Sequence, residues 1–294
     1  PPVSRWVDLG QHRVIRTQIT NEKLKKALAT VAKTPVEFFQ IDNGEGVLLD
    51  AWMMKPPQFD PKKKYPLVFH VYGEPAGATV VNRWGGSQYL WHLMLAQHGY
   101  LVVSVDNRGT NAPRGRDWRK SVYRKIGIVA SRDQAAAARE LAKRPYVDAS
   151  RIAVWGWSGG GSMTLNLLFR YPEIYRAGMS VAPVPDMSLY DTIYQERYMG
   201  LPQENGEDYK LGSPITHAKG LKGDLLLVHG TGDDNCHYQG MEKLIDVLIG
   251  ANKPFVVLPY PNRSHSISEG TNTTRHLFGT LTQFLESRMP PGPK

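Results

Sequence analysis

A doubly wound, mostly parallel α/β sheet with helices on both faces is the fold this sequence predicts. Short apolar runs recur between residues 67 and 260, and the segments between them have helical period. The chain of 294 residues is long enough to bury a large core without covalent staples.

The elements follow in order. Arg13-Val14-Ile15-Arg16-Thr17 is strand-like and precedes a Lys-rich, helix-prone stretch to Lys33. Residues 1–34 are too short to form a domain of their own. Val36–Ile41 and Val47–Met54 read as strands joined by the turn Asp42-Asn43-Gly44, and a Pro/Lys loop runs from Lys55 to Pro66. The later strands are Leu67–Tyr72, Tyr100–Val105, Arg151–Gly156, Ala177–Val181, Asp224–His229 and Phe255–Tyr260. Runs this apolar suit a parallel sheet covered on both sides. Ser131 with Gln134 reads as a capping box ahead of the alanine-rich helix that ends at Lys143. Met241, Leu244, Ile245, Leu248 and Ile249 form one apolar helical stripe, and Leu277, Leu281, Phe284 and Leu285 another.

Composition narrows the function. Hydrophobic residues are 41% and charged residues 21%, which excludes wholesale disorder. The single cysteine, Cys236, excludes an intramolecular disulfide and a multi-cysteine metal site. The net charge is +9, with a basic cluster between Arg108 and Lys125. That cluster is read as a solvated loop or a docking face rather than a nucleic-acid site. No apolar run approaches the roughly 20 residues of a membrane span. The start, Pro1-Pro2-Val3-Ser4-Arg5, is neither a signal peptide nor a natural N-terminus, so a fragment or processed product is expected.

Chemistry enters at Gly156-Trp157-Ser158-Gly159-Gly160, a G-x-S-x-G run between an apolar strand and a helix. A strand turning sharply into a helix strains its central residue, and glycines at both flanks relieve the crowding. The helix then aims amide N–H groups at a developing oxyanion. This arrangement makes Ser158 the expected nucleophile of an α/β-hydrolase fold. In that fold the acid and then the base follow the serine along the chain. After the next-to-last strand come Asp233 and Asp234, and position alone does not choose between them. After the last strand comes His265, the expected base. His229 reads as a structural donor near the acid loop. His229 and His237 flank the two aspartates, but an acid loop explains that cluster better than a metal site.

Gly156-Trp157-Ser158, His229-Gly230-Thr231-x-Asp233-Asp234-Asn235 and Glu196-Arg197-Tyr198-Met199-Gly200 together resemble the dipeptidyl peptidase IV-like serine peptidases of the prolyl oligopeptidase family. The likeness runs from about Val36 to Arg288. It implies that Asp233 is the acid, and that Tyr72 and the Gly159 amide form the oxyanion hole. It also implies that Trp157, Val184, Tyr190 and Tyr194 line a proline pocket, and that Asn235 binds a substrate carbonyl. Residues 1–34 would be the remnant of a preceding β-propeller absent here, and residues 35–294 the catalytic domain. Short peptides are the implied substrates, with no cofactor, a possible homodimer, and export to the periplasm or outside the cell if the source is bacterial.

The sequence departs from the pattern at two places. Gly159 stands where the family often has tyrosine, which predicts a wider pocket, and Cys236 stands where valine is common. The expected function is a serine peptidase working by acyl transfer, with dipeptide release after proline or a similar P1 residue. The alternatives are an esterase or acylaminoacyl hydrolase on the same triad, or a hydrolase fold retained as a binding module.

Overall fold

The computed structural model describes residues 1–31 and 34–294, so Lys33, the expected end of the Lys-rich stretch, lies outside the described residues. The chain begins with β1 (Ser4–Val7), β2 (Val14–Ile19) and α1 (Glu22–Ala29), and continues with β3 (Val36–Asp42), β4 (Leu48–Met54) and β5 (Tyr65–His70). Next come α2 (Gly86–His98), β6 (Leu101–Val105), α3 (Gly115–Lys120), α4 (Val129–Ala142), β7 (Val147–Trp157) and α5 (Gly159–Arg170). The remainder is β8 (Ala177–Val181), α6 (Thr192–Met199), α7 (Pro202–Gly212), β9 (Asp224–Gly230), α8 (Tyr238–Gly250), β10 (Val256–Tyr260) and α9 (Thr273–Arg288).

Eight strands form one sheet in the order β10-β9-β8-β7-β5-β6-β4-β3. Strands β5 to β10 pair in parallel, and β3 and β4 close one edge as antiparallel neighbours. The expected turn at residues 42–44 joins these two strands. Gly44 takes φ +81°, and the Asp42 carboxylate accepts its amide at 2.7 Å.

Alternation along the central strands sends side chains into two cores. Leu67, Phe69, Val154, Leu225 and Leu227 join one, which α4, α5 and α8 cover with Leu141, Leu168 and Leu244. Val68, Ala153, Trp155, Leu226 and Val228 join the other, beneath α2 and α9 with Trp91, Leu95, Leu281 and Leu285. Both faces are therefore apolar, as the unbroken runs require. A mostly parallel eight-stranded sheet of this order, covered by helices on both faces, is the architecture of the α/β-hydrolase fold.

One local expectation is corrected. The capping box does not form, because α4 already begins at Val129. Ser131 sits inside the helix and bonds back to the Ile128 carbonyl, while Gln134 donates to Val105 O at 2.6 Å and Asn107 Oδ1 at 3.0 Å. A buried demand from the neighbouring strand thus overrides the local motif. Strand β1 had no apolar run to announce it and exists by pairing antiparallel with β2. Every residue of this ribbon is exposed, with Trp6 at 60% and Ile15 at 63%.

Much of the basic cluster is committed internally. Arg108 pairs with Asp133 and Glu45, Arg114 lies 4.0 Å over the Trp118 ring, and Arg124 donates to the Glu204 carbonyl. Among the described residues no helix is long and apolar enough to cross a membrane.

Candidate active site

Ser158 stands at the junction of β7 and α5 with φ 60° and ψ −122°. A non-glycine residue held there stores on the order of 1–3 kcal/mol of backbone strain. The neighbours make the turn possible. A Cβ on Gly156 would lie 2.5 Å from the Val71 carbonyl oxygen, and one on Gly160 2.2 Å from it. On Gly161 it would lie 2.6 Å from Val181 O. Only glycine lets α5 start this close to the ends of β5 and β8. The first amides of α5 have no intrahelical acceptor and point out of the turn.

Asp233, in the loop after β9, has a fully buried side chain. Its Oδ1 accepts the amides of Asn235 and Cys236 at 2.9 and 2.8 Å. Its Oδ2 accepts His265 Nδ1 at 2.8 Å and His229 Nε2 at 3.1 Å. Burial pushes this carboxyl up, but the bonds from His229, His265 and Asn235 outweigh it and hold the group far below the usual carboxylate range. His229 Nε2 also donates to Cys236 O at 2.7 Å, which fixes that ring as a donor. Asp234, the other aspartate of the pair, is exposed.

With Nδ1 on Asp233, the His265 ring leaves Nε2 without a hydrogen bond among the described residues. Ser158 Oγ instead has Cys236 Sγ at 3.9 Å, and no bond from the serine to the imidazole is closed. The Trp157 indole donates to His265 O at 3.0 Å, tying the histidine loop to the residue before the serine.

Cys236 is buried, and burial together with the nearby Asp233 charge pushes its thiol up to about 12. Donor atoms of Asp233, Cys236 and His265 lie within 4.8 Å of one another. A neutral thiol and a carboxylate already shared by two imidazoles make a poor cation cage.

Tyr72 follows β5 and lines, with Trp157 and Ser158, an open cleft of about 1300 Å³. Its hydroxyl has no hydrogen-bond partner among the described residues, so it is free to donate. Burial, then the neighbouring Glu74, pushes the phenol up to about 12, which keeps the proton in place.

The expected pocket residues are partly brought together. Tyr190 donates to Asn235 Oδ1 at 2.8 Å, and the Tyr190, Tyr194 and Tyr198 rings stack edge to face at 5.5 and 5.0 Å. The helical spacing of these tyrosines on and before α6 sets that stack. Val184 is placed by its amide, which donates to Ser162 Oγ on α5 at 2.9 Å.

The expectation of an enlarged pocket at Gly159 is corrected by a residue that sequence reasoning passed over. A Cβ on Gly159 would fall 2.7 Å from Glu74 Cγ, so the Glu74 side chain occupies the space. The Tyr194 hydroxyl donates to Glu74 Oε2 at 2.5 Å. The signal in the sequence was a carboxylate two residues after Tyr72 combined with a glycine after the nucleophile. Neither has meaning until the loop and the helix are brought into contact.

An eight-stranded hydrolase sheet carrying a strained serine at a β7–α5 turn and an Asp–His pair on the following loops defines an α/β-hydrolase of the serine type. The prolyl oligopeptidase family model matches residues 87–290, and the chain belongs to that family. It is 35% identical over 289 residues to mouse prolyl endopeptidase FAP, covering 97% of this chain and 37% of that protein. It is 40% identical over 273 residues to a probable dipeptidyl-aminopeptidase B of Uncinocarpus reesii, covering 88% of this chain and 29% of the relative. The crystal structure of Porphyromonas gingivalis dipeptidyl peptidase 4 superposes with a TM-score of 0.92 at 39% identity, over 98% of this chain and 40% of that one. The chain thus spans well under half the length of the relatives it matches.

Proposed function

We propose that this chain is the catalytic part of a serine peptidase that releases dipeptides from short peptides. The observation that supports the reading is the Asp233–His265 bond on the loops after β9 and β10, with Cys236 Sγ within 4.8 Å of both side chains and 3.9 Å from Ser158 Oγ at the end of β7. Family membership and the names of its relatives support it.

The chemistry is acyl transfer. Ser158 Oγ attacks the scissile carbonyl while His265 Nε2 takes its proton. Asp233 holds the imidazole through Nδ1–H and stabilises the imidazolium. The Tyr72 hydroxyl and the Gly159 amide receive the oxyanion. His265 then protonates the leaving amine, and water repeats the sequence on the acyl-enzyme. Asn235, held by Tyr190, presents its amide N–H to a substrate carbonyl, while Trp157, Tyr190, Tyr194 and Val184 surround the P1 side chain.

We also propose that residues 1–34 are the tail of a β-propeller that completes the site, with residues 35–294 as the catalytic domain. The exposed apolar residues of the β1–β2 ribbon support a covering partner there. Hydrolysis of a free H-Gly-Pro amide beside its N-blocked analogue, using the intact protein, tests the reading. Cleavage of the free form alone is expected. Preference for short esters or acyl-amino acids over both would replace dipeptide release with the alternative hydrolase activity.

A further inference from the structure

Glu74 has no role in the acyl-transfer scheme, yet it sits at the edge of the reacting centre. It shares a loop with Tyr72 and its side chain lies against Gly159, the neighbour of the nucleophile. The carboxyl therefore packs on the backbone of the residue that directly follows the serine.

Its partners are unusual for a half-buried acid. Oε2 accepts the Tyr194 hydroxyl, and Oε1 has no hydrogen-bond partner among the described residues. The ionisable groups close enough to act on it or to feel it are Tyr72, Tyr190, Tyr194 and Cys236, all neutral proton holders. Among the described residues no lysine, arginine or histidine forms an ion pair with it. Beside it stand the stacked rings of Tyr190, Tyr194 and Tyr198. A carboxylate without a cation, next to aromatic faces, is the composition that binds an ammonium or guanidinium group.

Resting on the serine peptidase reading, we propose that Glu74 makes the P1 pocket an acidic subsite that selects peptides with lysine or arginine at P1. Proline offers this carboxyl neither a donor nor a charge. The Gly159 position is what admits the acid, since any side chain there would collide with it.

The test is a panel of Xaa-Arg, Xaa-Lys, Xaa-Pro and Xaa-Ala amides, assayed with the intact protein and with Glu74→Gln and Glu74→Asp. A fluorophosphonate probe counts active serines in each preparation. The expected result is a kcat/KM at least tenfold higher for Arg and Lys than for Pro, a ratio that falls at least tenfold in Glu74→Gln and is partly kept in Glu74→Asp. A labelled enzyme that prefers proline, or a ratio unmoved in labelled Glu74→Gln, overturns the acidic subsite and leaves the peptidase standing. Should Glu74→Gln fail to label, the Glu74→Asp ratio decides, because a selectivity equal to wild type there, with proline favoured in both, rejects the proposal. Wild-type protein that neither labels nor cleaves any amide removes the peptidase reading, and the subsite with it.

Discussion

Two acids sit near Ser158, the proposed nucleophile, Asp233 through Cys236 and Glu74 against Gly159, and their surroundings drive them apart. Burial pushes both carboxyls up. Asp233 nevertheless sits far below its usual range, because two imidazoles and two backbone amides donate to it. Glu74 stays raised, because burial prevails where the Tyr194 phenol is its one donor among the described residues. Burial alone therefore does not set the sign of the shift. The number of fixed donors does, and donors supplied by backbone cost nothing to reorient. The first acid is saturated by the protein and serves as a permanent charge. The second has an open oxygen and is built to take a partner from outside.

The largest break in this contrast is also the simplest. Ser158→Ala removes the proposed nucleophile, and kcat should fall by about 10⁶ with loss of fluorophosphonate labelling. Turnover at the wild-type level in that variant would sink the catalytic assignment. Asp233→Asn keeps the shape but removes the saturated charge. A fall in kcat of about 10⁴ is expected, with the P1 ratio little changed. Tyr72→Phe takes away one oxyanion donor and should cost roughly 10²–10³ in kcat. A change in KM alone would make Tyr72 a packing residue.

The contrast also sets a pH signature. A raised Glu74 takes up its proton at a higher pH than an ordinary carboxyl, so selectivity for Arg and Lys is present above that point and declines as pH falls through it. Asp233 remains charged across the same window. Measuring the Arg/Ala ratio from neutral to acid pH separates the two.

A third buried group sharpens the rule from the other side. His70 meets Gln88 at 2.8 Å through Nε2, its buried Nδ1 has no hydrogen-bond partner among the described residues, and burial pushes it down to about 4. The unfolded chain then binds a proton near pH 6.5 that the fold refuses. Stability is whole above about 6.5 and drops by roughly 3 kcal/mol as pH falls toward the folded value. Urea denaturation of wild type and His70→Gln at neutral and acid pH should show this slope in the first and a shallower one in the second.

How much of this was legible in the chain depends on how local each cause is. The strands of the large sheet were readable because apolar runs such as Leu225–Val228 need no knowledge of their partners. Boundaries moved by a few residues where pairing decides. β7, for instance, starts at Val147, where Val147 pairs with Tyr65. The Ser131–Gln134 motif misled because the glutamine answers to β6, not to its own helix. Ser158 was readable from its flanking glycines and His265 from its place after β10, whereas the place after β9 left Asp233 and Asp234 open and only the family resemblance chose between them. Glu74 was not, because its role arises where the loop after β5 meets the start of α5, nearly ninety residues downstream in numbering yet in contact through space.

The carbonyl of Val71 fills the hollow left by both Gly156 and Gly160, and Tyr72 is the very next residue. The attacking oxygen and the phenol opposite it are consequently mounted on one rigid bracket. A shift of the Val71–Tyr72 backbone would therefore move the serine turn and the phenol together, and the outer side chains of that bracket, Glu74 against Gly159 among them, are free to differ without moving it.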